Sequence, residues 1–424
     1  MANLKSSFFA LVISSILLAG CGNPINSLNN VSGVSAQSFV TPVNIDNIGI
    51  NNSIDFATGT KNTFNNINVK FFMDGKNAYP ALENLIMGAK ESLYIEVFQF
   101  NNDFTGRKFA DALVNKHKEG VEVKVLYDFV GNTDVKLMNY MAKNGVHIET
   151  YNKQVFTSKG TNITHRKVFI ADGLRAMTGG MNIGEKYAHE WHDTMMSYEG
   201  EAVKDTLKEF FADWKRAGNK LSKLMQKAMD NPIQIKTDEK KYPLRVTVTS
   251  PKEVDKKEDI KRMMVAAIDS AKDNVKIAMP YFSDDEFIEH LILAKKRGIK
   301  VTALMPKDNN QKLFDLVSTN TTNQLVVGDV EVFRTGAKDH TFSHSKVLTV
   351  DNTWTTIGSC NADRRAFHIN QELNVAISDP EFAQEVNRIF FDSLIQNAEK
   401  GTYKDIPWYK KPLFSFVEGF DDFL

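Results

Sequence analysis

Apolar positions along the chain fall into short blocks of strand and helix type, and one succession of blocks occurs twice. Ser92-Leu-Tyr-Ile-Glu-Val-Phe-Gln-Phe100 is an apolar run of strand length, followed by a helical pattern over 104–119 and a second strand over 120–127. Farther on, 274–282 reads as strand, 284–297 as helix and 298–305 as strand. Local detail recurs: Lys118-Glu-Gly-Val-Glu-Val-Lys-Val125 is echoed by Lys296-Arg-Gly-Ile-Lys-Val-Thr-Ala303. Helical patterns at 78–90 and 257–272 precede each first strand. Strands alternating with helices predict an α/β chain of two duplicated lobes, each a mixed sheet flanked by helices. The lobes are expected at residues 67–217 and 243–400, with a charged linker at 218–242 and an aromatic tail at 401–424.

The first residues follow a different logic. Lys5 precedes an apolar run from Phe8 to Leu18, so residues 1–20 read as an export signal too short to span a bilayer well. Leu18-Ala19-Gly20-Cys21 resembles the lipobox of bacterial lipoproteins, which implies a lipidated Cys21 as anchor and mature N-terminus. Residues 21–66, rich in Asn, Ser, Val and Gly without a sustained period, are expected to be a flexible tether. The expected location is therefore exported and membrane-anchored, on the periplasmic or cell-surface side of a bacterial membrane.

Composition narrows the partners. The 424 residues carry 52 basic and 52 acidic side chains, which gives no support for nucleic-acid binding through bulk charge. Two cysteines make no disulfide framework, and no P-loop, G-x-G-x-x-G or C-x-x-C is present.

Chemistry enters with a segment repeated at identical spacing. His165-x-Lys167-x₄-Asp172 continues through six residues to Gly179-Gly180-x-Asn182, and His344-x-Lys346-x₄-Asp351 continues through six to Gly358-Ser359-x-Asn361. An acid follows each histidine at the same offset, Asp193 (193 − 165 = 28) and Glu372 (372 − 344 = 28). Core patterning repeats apolar positions and leaves polar ones free, so agreement of this kind points to chemistry. In a strand, alternate residues share a face, so each His and its Lys point the same way. Two imidazoles, two ammonium groups and two amides suit phosphoryl chemistry. One His attacks phosphorus while the other protonates the leaving alkoxide and then activates an acceptor. Lys167 and Lys346 neutralise the non-bridging oxygens, Asn182, Asn361 and Ser359 donate hydrogen bonds, and Asp193 and Glu372 bond the far nitrogen of the histidines. Neither His340/His344 nor His189/His192 belongs to an H-E-x-x-H set, so no metal and no cofactor are expected. Cys360, matched by Met181 in the first copy, reads as packing.

The duplicated H-x-K-x₄-D motif resembles the phospholipase D superfamily. Gly179-Gly-Met-Asn-Ile-Gly184, Trp191-His-Asp-Thr194 and Asn361-Ala-Asp-Arg-Arg-Ala-Phe367 are similar, more narrowly, to cardiolipin synthases and related phosphatidyltransferases. The resemblance implies two pseudo-symmetric phospholipase D-like lobes with the active site between them, His165 as nucleophile and His344 as acid and base. It further implies structural support from Asp172 and Asp351, a phospholipid substrate, and a site complete without an oligomer. Two alternatives use other substrates or none: an endonuclease of the same superfamily, and a non-enzymatic lipid-binding lipoprotein.

Overall fold

The computed structural model describes residues 49–407 except 133, 153–161, 232, 234, 236–237, 252–254, 311–313 and 337–340. The expected signal, Cys21, most of the tether and residues 408–424 of the aromatic tail lie outside the described residues.

Among the described residues there are two mixed sheets. The first has seven strands: β1 (Asn66–Met73), β2 (Ser92–Val97), β3 (Glu122–Asp128), β4 (His147–Tyr151), β5 (Lys167–Ala171), β6 (Arg175–Gly179) and β7 (Thr194–Gly200), in the order β1-β7-β6-β5-β2-β3-β4. The second has nine: β8 (Leu244–Ser250), β9 (Lys257–Glu258), β10 (Asn274–Ala278), β11 (Lys300–Pro306), β12 (Glu331–Thr335), β13 (Val347–Val350), β14 (Trp354–Gly358), β15 (Glu372–Ser378) and β16 (Glu399–Lys400). Its order, β16-β12-β11-β10-β13-β14-β15-β8-β9, contains the first sheet's order intact, with one short strand added at each edge. In both, the strand that begins beside the His-x-Lys segment pairs antiparallel with the first strand of a parallel trio. The duplicated α/β fold is thus the one the repeat predicts.

Alternation explains the layers. Leu93, Ile95 and Val97 of β2, with Phe169 and Ala171 of β5, face an outer core against the helices Gly75–Met87 and Phe104–Lys118. Tyr94, Val168 and Ile170 point the other way, into a core shared with Val248, Ala278, Val375 and Phe390 of the second lobe. The second lobe has its own outer core around Met263, Ile277, Leu291 and Trp354. Because the middle core belongs to both lobes, neither sheet has a complete apolar covering alone. Matched aspartates start the flanking helices: Asp103 accepts from Gly106 N and Asp284 from Phe287 N, both at 2.8 Å.

Two stretches depart from expectation. The tether reading fails over its last part, because Ile50–Thr58 is a helix. Ile54 is fully buried in the second lobe's outer core, and Asp55 binds the buried guanidinium of Arg245. The linker holds a helix too, Lys223–Asp230, capped by Ser222 and anchored by buried Met225. Among the described residues, no helix is long and apolar enough to cross a membrane.

Candidate active site

The site is assembled by two short parallel bridges between the lobes, Thr164 with Gln371 and His192 with Ser343. In the first, His165 N–H donates to Gln371 O at 2.9 Å and Gln371 N–H to Ile163 O at 2.8 Å. In the second, His344 N–H donates to His192 O at 2.7 Å and His192 N–H to Phe342 O at 3.0 Å. Gln371 precedes Glu372 and His192 precedes Asp193, so each bridge sets an acid beside the histidine of the opposite lobe.

The histidine–acid pairs consequently cross the interface. His165 Nδ1 lies 3.0 and 3.2 Å from the two oxygens of Glu372, and His344 Nδ1 lies 2.8 Å from Asp193 Oδ2. The equal offsets within each lobe suggest pairing inside a lobe, and the structure exchanges the partners. Sequence spacing records where an acid sits in its own lobe, whereas contact depends on how the lobes dock.

Behind each imidazole a buried lysine folds back on the chain: Lys167 Nζ donates to His165 O and Lys346 Nζ to His344 O, both at 2.5 Å. Burial disfavours charge, drawing Lys167 down to about 7 and Lys346 to about 8, against the opposing pull of Glu372 and Asp193. Burial also lowers His165 to about 4, opposed by Glu372, and holds His344 well below the ordinary imidazole value. It pushes Asp193 up to about 7. The site thus presents neutral imidazoles beside lysines drawn down towards neutrality.

The remaining sequence candidates divide. Ser359 faces Glu372, to which its hydroxyl donates, and it accepts from Leu373 N at 3.1 Å, so it holds an acid where phosphate contact was expected. In the first lobe that position is Gly180, where a Cβ would lie 2.1 Å from Asp193 Oδ1; only glycine leaves the carboxylate its place. The Asn182 amide is also committed, donating to the Tyr187 hydroxyl at 2.8 Å and accepting from Gln99 N at 2.9 Å. Asn361 is buried, and its Oδ1 has no hydrogen-bond partner among the described residues. Asp172 and Asp351 stand at the far ends of β5 and β13, about 17 Å from the motif lysines at strand rise. Each collects three backbone N–H groups, of Lys90, Glu91 and Ser92 or of Lys272, Asp273 and Asn274. They tie a β-turn to the neighbouring strand. Cys360 is buried against the carbonyls of Asn361 and Ala366, and burial raises its thiol well above the ordinary value.

Sequence reading missed a polar cluster behind His165. Arg166, the unnamed position between His165 and Lys167, is fully buried and binds Asp213 at 2.6 Å, Glu209 at 3.0 Å and Gln371 Oε1 at 3.1 Å. Glu96 accepts from Thr164 Oγ1, and Asp128 accepts from Thr164 N at 2.8 Å. Burial raises both carboxyls, Asp128 to about 7. The available signal was a charge inside an apolar strand pattern, at Glu96 and again at Arg166. Also missed were the rings around His344: Tyr187, Trp191, Tyr281 and Phe342 lie 5.5–6.4 Å from it, while Phe98 is the ring beside His165, at 5.1 Å. Among the described residues, no group of three or more His, Cys, Asp or Glu side chains could hold a metal ion.

Two lobes that each contribute one histidine, one lysine and the other's acid define an enzyme of the phospholipase D class. The sequence matches the family described as "Cardiolipin synthase, PLD-like domain" twice, over residues 82–214 and 264–394, and the chain belongs to that family. The probable cardiolipin synthase YwiE of Bacillus subtilis (strain 168) is 29% identical over 353 residues, covering 80% of this chain and 68% of that protein. A cardiolipin synthase of Staphylococcus aureus (strain Mu50) is 28% identical over 378 residues, covering 84% and 72%. The crystal structure of phosphatidylserine synthase from Haemophilus influenzae Rd KW20 superposes with a TM-score of 0.63 at 15% identity, covering 87% of this chain and 97% of that one, which supports the fold.

Proposed function

We propose that this enzyme moves phosphatidyl groups between alcohols, as a cardiolipin synthase-like phosphatidyltransferase, through a phosphohistidine on His165. The observation that carries the reading is the crossed pair of His–acid contacts flanked by two buried lysines. His165 is neutral and aligned by Glu372, so its other nitrogen can attack phosphorus as the bond to the leaving alkoxide breaks. His344 gives that alkoxide its proton, then takes one from the acceptor hydroxyl as the acceptor oxygen displaces His165. An anionic phosphodiester in the cleft favours the charged forms of His344, Lys167 and Lys346, so substrate itself loads the acid and the lysines. The lysines supply the charge stabilisation that many phosphoryl-transfer enzymes draw from metal ions. We further propose that Cys21 holds the enzyme at an exported membrane surface.

The test is product analysis with labelled phosphatidylglycerol, with and without EDTA, beside acid-quenched trapping of labelled protein. Cardiolipin and glycerol should form undiminished in EDTA, and the trapped label should map to His165. Turnover of single-stranded DNA but not lipid would replace the reading with a nuclease, and loss of turnover in EDTA would overturn the metal-free mechanism.

A further inference from the structure

The first lobe carries a buried polar circuit that the second copy of the repeat lacks. Thr164, which makes the bridge to Gln371, is fully buried and held from two sides. Asp128 accepts its N–H at 2.8 Å, and Glu96 accepts its hydroxyl. Glu96 is also in hydrogen-bond contact with Asp213. Asp213 binds Arg166 at 2.6 Å, and Arg166 reaches across the interface to Gln371 Oε1 at 3.1 Å and Glu372 O at 3.3 Å. The circuit closes on the bridge itself, because Gln371 N–H donates to Ile163 O and Gln371 O accepts from His165 N–H. At matched register the second lobe has Ala278 for Glu96, Pro306 for Asp128, Ser343 for Thr164 and Ser345 for Arg166. Only His165 is served in this way.

One link of the circuit joins two carboxyl groups, which bond to each other only when one of them holds a proton. Asp213 accepts from two guanidinium groups, those of Arg166 and Arg216. The donor to Glu96 among the described residues is the Thr164 hydroxyl, and its buried Oε2 meets none. The proton therefore belongs to Glu96. Burial, and next the charge of Asp213, raise its carboxyl well above the ordinary value, in agreement with that placement.

We propose that Glu96 is a positioning residue for the nucleophile: as a neutral acid it donates to Asp213 and accepts from Thr164, closing the circuit that seats Glu372 against His165. It acts through Thr164 and Arg166, the two neighbours of His165 in the chain, and the role rests on the assignment of His165 as nucleophile made above. A reacting group held through a fixed partner loses rate steeply when it is displaced, so the contribution of Glu96 falls on kcat.

The test compares Glu96→Met and Glu96→Gln in the full chain by phosphatidylglycerol turnover, Tm and infrared difference spectra. Glu96→Met cuts the link and should lower kcat by about ten- to a hundredfold, the cost of a misplaced reacting group, with KM within about twofold of wild type. Glu96→Gln, whose amide donates and whose carbonyl accepts as the neutral acid does, should rescue most of that loss. The difference spectrum of wild type and Glu96→Gln should show the carbonyl stretch of a protonated carboxylic acid, shifted in heavy water. Thr164→Val opens the same link from its other side and should lose kcat as Glu96→Met does, and it decides if either Glu96 variant does not fold. The inference is overturned if Glu96→Gln at wild-type Tm fares no better than Glu96→Met, if the protonated-acid band is absent, or if Thr164→Val keeps wild-type kcat. Acid-quenched labelling of wild type tells the two failures apart. Label on His165 together with any of those outcomes overturns the role of Glu96 alone, whereas label on His344 overturns the nucleophile assignment and the role with it.

Discussion

His165 and His344 occupy the same position of the same motif, yet their surroundings differ in kind. Behind His165 lies an ionic network of Arg166, Asp213 and Glu209 with two further buried carboxyls, and among the described residues a single ring, Phe98, touches the imidazole. Around His344 lie four rings and one carboxylate, and the network's central residue is replaced by Ser345. A duplicated framework fixes two groups in register, and divergence around them lets the groups do different work. The side held rigidly by charge suits the nucleophile, which must keep its alignment through bond formation. The aromatic side suits a group whose proton affinity has to respond to substrate.

The sharpest way to break this comparison is to remove each histidine and change the leaving group. His165→Ala and His344→Ala should each lose at least about 10⁴-fold in kcat with a natural phospholipid. A diester whose leaving group is p-nitrophenolate needs no proton, so His344→Ala should recover a burst of one equivalent and then stall for want of a base. Rescue of His165→Ala instead would reverse the assignment of roles.

Next in size is the network itself. Arg166→Met removes the fully buried cation between Asp213 and Glu209, leaving buried Asp213 with Arg216 and part-buried Glu209 with Lys257, and breaking a buried ion pair from one side costs up to about 3–5 kcal/mol. Ser345→Ala, at the matched position, should cost under about 0.5 kcal/mol, since its hydroxyl makes one long contact at 3.5 Å to His192 O. Denaturant midpoints of the two variants measure the asymmetry directly, and equal losses would show that the network contributes no stability of its own.

The same asymmetry marks what the sequence could show. The duplicated sheets were legible because apolar blocks recur, and His165, Lys167, His344 and Lys346 because polar residues recur at identical spacing. The crossing of Glu372 to His165 was not, since it depends on Thr164 pairing with Gln371 across a gap of 207 residues. Ser359 stands in the repeated G-[GS]-x-N segment, which reads as a source of hydrogen bonds to phosphate, whereas its rotamer serves Glu372. The helices Ile50–Thr58 and Lys223–Asp230 are nine and eight residues long, too short for periodicity to stand out. Tertiary contacts through Ile54 and Met225 hold them.

pH dependence follows from the lysines and reads both lobes at once. With pKa values drawn down to about 7 and 8, Lys167 and Lys346 are charged below those values and neutral above them. The free enzyme's affinity for an anionic transition state should therefore fall as pH rises through 7 to 8. His165, at about 4, is lost as nucleophile only in acid. The proposed roles need His165 neutral and His344 and both lysines charged, so kcat/KM should fall with rising pH by about tenfold per unit once His344, held well below its ordinary value, is neutral, and by about a further tenfold per unit above each lysine, near pH 7 and pH 8. A profile that keeps one slope to pH 10 would show that the lysines keep their protons in the free enzyme.

The smallest effect probes the position where the repeats differ by one hydroxymethyl group, Ser359 against Gly180. Ser359 donates to Glu372, the acid aligning His165, while Gly180 leaves Asp193 to be held by Thr194 N at 2.7 Å. Ser359→Ala removes one hydrogen bond to a buried carboxylate that keeps its contact with His165. A loss of about three- to tenfold is expected, because a bond to a charged group is worth about 1.5–3 kcal/mol and part of that is recovered as Glu372 relaxes onto His165. With Glu372 bonded to His165, the proposed nucleophile, the loss should fall on formation of the phosphohistidine and not on its breakdown, which rapid-quench measurement of the two steps resolves. A slowing confined to breakdown would instead tie Glu372 to the acceptor step and place the division of labour elsewhere than between the two histidines.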